Sequence, residues 1–368
     1  MWDYLSSWYQ RKFSDPDAIT LFLSLLVFFL LITFFGHLLA PILVAVVLAY
    51  LLDWPVQRLQ ATGMSHPVAA LVVFSLFITL NVLLILFLVP VIWQQSIALI
   101  TELPAMVGQV RSLLEHLPER FPGYVSESYI NTFMDNLNQR ALQLGETIIS
   151  QSLSRIVGVM ALLIYLIVVP LLVFFMLKDK YQLLGHINRT LPSNRRLIAQ
   201  VSDEMNLQIM NYIRGKALEV VIVGGVTYIC FALFDLRYAA LLAVLVGLSV
   251  LIPYIGAAVV TLPVALVALF QFGWSGMFAY VILAYLIIQA LDGNVLVPLL
   301  FSEAVSLNPV YIIAAVLIFG GLWGFWGVFF AIPLASLVKA VIRALSSDVP
   351  MTTPPTVTDQ QSATSDKA

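Results

Sequence analysis

The chain alternates long apolar runs with short polar joints. Ala18–Phe35 is a charge-free run of 18 residues, and Leu38–Leu52 follows after Gly36 and His37, with Pro41 near its start. At 1.5 Å per residue the second run reaches only about 22 Å, short of a hydrocarbon core of about 30 Å. The pattern therefore predicts either a tight helical pair or one bent element. Asp53, Pro55 and Arg58 mark a polar turn. Pro67–Trp93 reads as a long span ending on an interfacial Trp, Ile156–Leu177 as a span of 22 residues without a charge, and Ala217–Phe234 as another with Glu219 near its start.

The second half is interrupted. Tyr238–Ile252 is apolar, Pro253-Tyr254-Ile255-Gly256 breaks it, and a further apolar run ends at Phe272. Val310–Phe319 is followed by the glycine-rich stretch GGLWGFWG, with Gly320, Gly324 and Gly327, and then by VFFAIPLASLV, which holds Pro333. Two short apolar arms around a Gly or Pro break predict a re-entrant hairpin or a broken helix. Tilted helices packed closely through Gly320 and Gly324 are the alternative. Backbone freed from helix at membrane depth must face protein or water, because lipid offers it no hydrogen bonds. That makes the second half the expected working part.

Between these breaks lies LIIQALDGNVLVPLLFSEAVSLNP, Leu286–Pro309. The helix expected over Gly276–Leu291 is about 24 Å long and ends short of the far side of the hydrocarbon. Asp292, Gly293 and Asn294 then loosen the chain before Val295–Phe301, which contains Pro298. A carboxylate at the bilayer centre costs on the order of 3 kcal/mol. It therefore faces protein or water and binds a proton, a cation or a donor side chain; a helix cap at the inner interface is the plain alternative. Gln289, one turn earlier, is placed to share that site. Glu303 lies nearer a polar turn. Glu219 follows Arg214-Gly215-Lys216, so these bases are its simplest partners.

Two polar segments divide the apolar ones. Gln94–Arg155 carries an amphipathic stripe at Leu103, Met106, Val107 and Val110, then a heptad-like one at Ile130, Met134, Leu137 and Ala141. Such stripes predict helices that pack on each other, lie on the membrane or join subunits. Lys178–Lys216 is basic, with a stripe at Leu197, Val201, Met205, Ile209 and Tyr212 that suits a juxtamembrane helix beside anionic lipid. The organisation read from the chain is thus 1–93 membrane helices, 94–155 an extracytoplasmic helical insertion, 156–177 a membrane helix, 178–216 a basic cytoplasmic region, 217–345 a membrane core with broken helices, and 346–368 a disordered tail. With both termini inside, thirteen of the eighteen Lys and Arg residues fall on the cytoplasmic side, as positive-inside bias requires.

Composition agrees. The chain is 61% hydrophobic and 10% charged, where a soluble domain carries about 25% charge. The expected fold is an all-α polytopic membrane protein with five to eight embedded segments. One cysteine, Cys230, rules out an internal disulfide, and the four histidines form no metal-binding spacing. No Walker A sequence follows the glycines, so an ion gradient is the expected energy source. No cofactor, metal or enzymatic activity is expected, and nucleic acid is not an expected partner.

The ordered motifs FFMLKDK (Phe174–Lys180), NYIRGK (Asn211–Lys216), IPYIG (Ile252–Gly256), DGNVLVP (Asp292–Pro298), SLNP (Ser306–Pro309) and GGLWGFWGVFFAIP (Gly320–Pro333) resemble the autoinducer-2 exporter family of permeases. The resemblance runs from Ser14 to about Ala344. It implies a multi-pass protein of the bacterial inner membrane and a homo-oligomer, with a pentamer as one candidate form. It also implies either export of autoinducer-2 or sodium (or lithium)/proton antiport, activities ascribed to different members. Asn308 stands where many members have His, so a proton role there does not carry over. The expected partners are a small polar solute or ion, membrane lipid and further copies of the chain. A passive oligomeric pore and a non-transporting scaffold are the competing readings.

Overall fold

A computed structural model describes residues 16–115, isolated positions between 128 and 143, and residues 156–190, 196–301 and 308–346. Among the described residues there is no strand, and seven helical stretches are long and apolar enough to cross a bilayer. The chain is a polytopic α-helical membrane protein. In order the helices are α1 (Pro16–Ala61), α2 (His66–Glu115), α3 (Ile156–Lys178), α4 (Lys180–Thr190), α5 (Arg196–Leu233), α6 (Ala239–Ser249), α7 (Ile255–Phe272) and α8 (Gly276–Leu291). A π-helical turn, Asp292–Leu296, leads into α9 (Val297–Phe301), and α10 (Pro309–Phe329) and α11 (Ala331–Ser346) complete the chain. Glu303, most of the second stripe of the Gln94–Arg155 insertion and the C-terminal tail lie outside the described residues.

Of the two forms open for the first apolar runs, α1 takes the bent one. Leu21 packs in a cluster with Leu197, Val201 and Met205, while Tyr50 Oη donates to Asn206 Oδ1 at 2.8 Å. A straight helix would set Leu21 and Tyr50 about 43 Å apart, yet their partners are neighbours on α5. The second arm of α1 packs through Ala45, Leu52 and Val56 on Ala69, Ala70 and Val73 of α2 and on Val169, Val173 and Leu177 of α3. At this end Asp53 takes Lys180 Nζ on both carboxylate oxygens at 2.9 Å, and His66 Nε2 lies 2.8 Å from the Leu177 carbonyl. Asp53 is nearly enclosed and Lys180 partly so, which places the pair between surface and buried ion pairs. Replacing Asp53 by Ala is expected to cost about 1–3 kcal/mol and to lower the melting temperature of the detergent-solubilised protein.

Two changes of polarity in the sequence fall inside helices. α2 runs unbroken from the span through residues 93–94 to Glu115, and α5 runs unbroken through residues 216–217. Among the described residues, Leu103 and Met106 of α2 pack on α6 and α7. The stripe Leu197, Val201, Met205 packs within the protein, against Leu21 of α1 and Ala340 of α11. A helix face that is uniformly apolar outside and polar at its ends can serve either purpose, and only the tertiary partner decides.

Both predicted breaks reverse the chain. In hairpin A (α6–α7) a Cβ on Gly256 would run into the Ser249 carbonyl, so the arms touch backbone to backbone just before and after Pro253. α6 has 11 residues and reaches about 16 Å. The hairpin thus enters the bundle from one end and turns back inside it. Tyr254, at the tip, holds φ 61°, a left-handed value that costs a side-chain-bearing residue about 1–3 kcal/mol. In hairpin B (α10–α11) Gly324 (φ 58°) turns the chain, and a Cβ on Gly327 would meet the Phe319 carbonyl. Val316 and Ala315 then pack on Ala331 and Ala335 across the hairpin. Pro333 sits in the first turn of α11, where its missing N–H leaves no intrahelical bond unmade.

Candidate functional site

The site is built on one stripe of α5. Tyr212, Lys216, Glu219, Val223 and Thr227 recur at helical spacing and are all buried, which puts an ammonium, a carboxylate and two hydroxyls on a face that is otherwise core. On α8 the buried stripe Val281, Tyr285, Ile288 leads by the same spacing to Asp292. The two stripes arrive at the same level. Gln271 binds both Arg237 N and the Asp235 carbonyl, so the end of α7, the start of α8 and the end of α5 lie together. From that end Glu219 is about 21 Å down α5 and Asp292 about 24 Å down α8. Both carboxylates lie within reach of the Lys216 charge and of each other.

Lys216 is the centre of this arrangement. Its Nζ lies 2.8 Å from Glu219 Oε2 and donates to the Val250 carbonyl at 2.7 Å. It also sits 5.4 Å from the centre of the Phe301 ring, a cation–π distance. The ammonium carries three N–H donors, so it can hold the Val250 carbonyl and the Glu219 carboxylate at once. Val250 caps α6, and its carbonyl is one of the four that a helix end leaves unpaired. The negative end of the α6 dipole favours a cation there. Phe301 is pressed against Gly215, where a Cβ would come within 2.5 Å of the ring. Any larger residue in the Arg-Gly-Lys sequence would force the Phe301 ring to move.

One turn before Lys216, Tyr212 Oη donates to the Phe329 carbonyl at 2.6 Å and packs edge-on to the Phe329 ring. Phe329 ends α10, so this too is a helix-end carbonyl. The same α5 stripe thus holds hairpin A through Lys216 and hairpin B through Tyr212. Tyr212→Phe would leave a buried carbonyl without a donor, at about 1–3 kcal/mol. The expected result is a lower melting temperature with the protein still folded.

The π turn explains the loosened stretch at Asp292-Gly293-Asn294. Asn294 Nδ2 donates to the Ala290 carbonyl at 2.8 Å, which satisfies a backbone group disturbed by the wider turn. Asn294 is exposed and serves the backbone. Asp292 is half-buried, and its Oδ1 is enclosed without a hydrogen-bond partner among the described residues; Gln289 Nε2 is in the same condition. Arg214 points away from the stripe. Asp53 is the carboxylate that acts on it, and its Nε and Nη2 are buried without partners. Of the two bases beside Glu219 it is therefore Lys216, not Arg214, that pairs with it. Asn308 caps α10 by accepting from Val310 N at 3.0 Å, and Pro298 lies in α9. Sequence reasoning missed the grips on Val250 and Phe329, because main-chain carbonyls leave no mark in side-chain patterns. The i, i+3 spacing of Lys216 and Glu219 was the available signal for the ion pair.

With both carboxylates ionised, the one ammonium would leave one negative charge uncompensated. Such a centre can hold a proton or a monovalent cation, and among the described residues no group of three His, Cys, Asp or Glu is placed to hold a metal.

Comparison with known proteins agrees with this architecture. The profile of the AI-2E family transporter matches residues 22–347. PerM of Escherichia coli strain K12, a candidate permease by its name, is 53% identical over 344 residues, covering 94% of this chain and 98% of PerM. YueF of Bacillus subtilis strain 168, a candidate transport protein by its name, is 27% identical over 322 residues, covering 84% of each chain. The match takes in both hairpins, the α5 stripe and the π turn, and the chain belongs to the AI-2E transporter family.

Proposed function

We propose that the protein moves a small polar solute or ion across the bacterial inner membrane, driven by an ion gradient, with Asp292 and Glu219 carrying the coupling charge. The observation that carries this reading is the centre itself: two carboxylates and a lysine about 21–24 Å from one end of the bundle. Ionisable groups at such depth are costly and mark ion or solute paths. Broken helices support it too, because helix ends supply the unpaired carbonyls that hold ions in transporters. In this reading the end that bears Arg58, Lys180 and Arg343 faces the cytoplasm with both termini, and Arg237 lies outside. A working unit of several identical subunits is part of the proposal and follows from the family resemblance.

The test is flux in proteoliposomes with proton and sodium gradients imposed separately, comparing autoinducer-2 with simple cations as cargo. Flux that follows one gradient is the expected result. Conductance in planar bilayers that needs no gradient coupling would mark a passive pore instead.

A further inference from the structure

The tip of hairpin A carries a strained residue, and among the described residues Lys216 is the only side chain that bonds to the tip carbonyl at Val250. A left-handed conformation at a residue such as Tyr254 persists only where the surroundings over-determine it. Lys216 is one of those determinants, through an ammonium whose counter-charge is Glu219. A second acceptor stands ready nearby. Asp292 Oδ1 is enclosed, has no partner among the described residues, and lies within electrostatic reach of the same ammonium.

We propose that Lys216 is a two-position latch: bound to Glu219 and the Val250 carbonyl it holds the tip of hairpin A, and drawn to Asp292 it lets that tip go. This rests on the reading that the two carboxylates take up the coupling charge. With Glu219 ionised, Lys216 stays at Val250 and Asp292 is the carboxylate open to a proton or cation. When Glu219 takes a proton, the ammonium loses its counter-charge. A buried cation without one is costly, and Asp292 is the remaining anion in the cluster. The move breaks the charge-assisted bond to Val250, and the strain at Tyr254 favours release. Lys216 is a positioning residue: it acts through the carboxylates and the hairpin, without touching the cargo.

The charged and titratable groups around Glu219 are few. Tyr212 and Lys216 lie on its own helix and Asp292 on the π turn. α6, α7 and α9 contain no titratable side chain, and they present to the cluster the Val250 carbonyl and the Phe301 ring; of the other helices packed on α5, α8 brings the buried Tyr285, α1 brings Asp53, paired with Lys180, and α11 brings Lys339 and Arg343, the latter paired with Glu204. A pH response of the tip therefore reports this cluster.

The experiment is hydrogen exchange at the backbone amides of residues 250–256, with the full chain in lipid nanodiscs and rates corrected for intrinsic pH dependence. The wild-type tip is expected to lose protection as pH falls from about 9 to about 5. Glu219→Gln should raise exchange by about tenfold or more, the loss of one charge-assisted hydrogen bond. Asp292→Asn should leave the tip protected, since it removes the second position of the latch. Lys216→Met should expose the tip and Lys216→Arg restore protection, a contrast that a merely space-filling lysine would not give. Wild-type protection independent of pH, or equal exchange in Glu219→Gln and Asp292→Asn, overturns the latch. The readout needs no cargo. Loss of coupled flux in Asp292→Asn beside an unresponsive tip would keep the transport reading and remove only the latch.

Discussion

Gly256→Ala is expected to remove folded protein from the membrane. The added methyl carbon would enter the Ser249 carbonyl and come within 2.7 Å of its carbonyl carbon and 3.1 Å of its Cα. These are backbone atoms, and the Ser249 carbonyl oxygen already accepts from the Ile252 amide at 3.0 Å, so no side-chain rotation relieves the contact. Overpacking a core that can adjust costs about 1–3 kcal/mol; a rigid hairpin tip costs more, because the whole arm must move. Gly327→Ala meets the Phe319 carbonyl in the same way and is expected to behave alike. Gly225→Ala, in the middle of α5 with nothing within 4 Å, is the matched control and is expected to be neutral or slightly stabilising. Monodisperse yield after detergent extraction and the melting temperature measure all three. Wild-type values for Gly256→Ala would show that the two arms do not touch as described.

The breaks at Pro253 and Gly256, at Asp292–Asn294 and at Gly320–Gly327 were legible in the sequence because Gly, Pro and polar residues interrupt apolar runs too short to span. The sequence bounded the embedded segments only to five to eight, and among the described residues seven helical stretches are long and apolar enough to cross a bilayer. What faces what was not. α3 and α8 are apolar around most of their circumference, so periodicity gives no direction, and the place of Asp292 follows only from the buried stripe that ends on it. Glu219 is a similar case. Its neighbours in sequence offered two bases, and the geometry of a helix separates them: Lys216 shares its face and Arg214 turns toward Asp53. The hold of Lys216 on Val250 spans 34 residues and joins a side chain to a carbonyl, a contact with no signature in residue type. Asn294, beside Asp292 in the loosened stretch, binds its own helix. Polar residues in loosened turns often repair the backbone in this way.

The second large effect concerns Asp292. Asn keeps its size and leaves Gly293 and Asn294 free to form the π turn, so Asp292→Asn is expected to fold and to melt near the wild-type temperature. It removes the uncompensated negative charge of the cluster: Lys216 and Glu219 remain as a neutral pair. With Lys216 paired to Glu219, that leaves no carboxylate open to a proton or cation, and coupling of cargo to a gradient should fail. Flux driven by the coupling gradient should fall to the level of empty liposomes. Exchange of cargo between equal concentrations, which requires no net charge movement, should fall less. Glu219→Gln is expected to lose coupled flux too, by a different route, since it leaves Lys216 with Asp292 as its sole counter-charge.

The most direct measurement is gradient-driven flux for wild type and Asp292→Asn, reconstituted side by side at matched incorporation and with melting temperatures recorded. Gradient-driven flux in the wild type and none in the folded variant is the predicted result. Full gradient-driven flux in Asp292→Asn would contradict the assignment of coupling to this cluster.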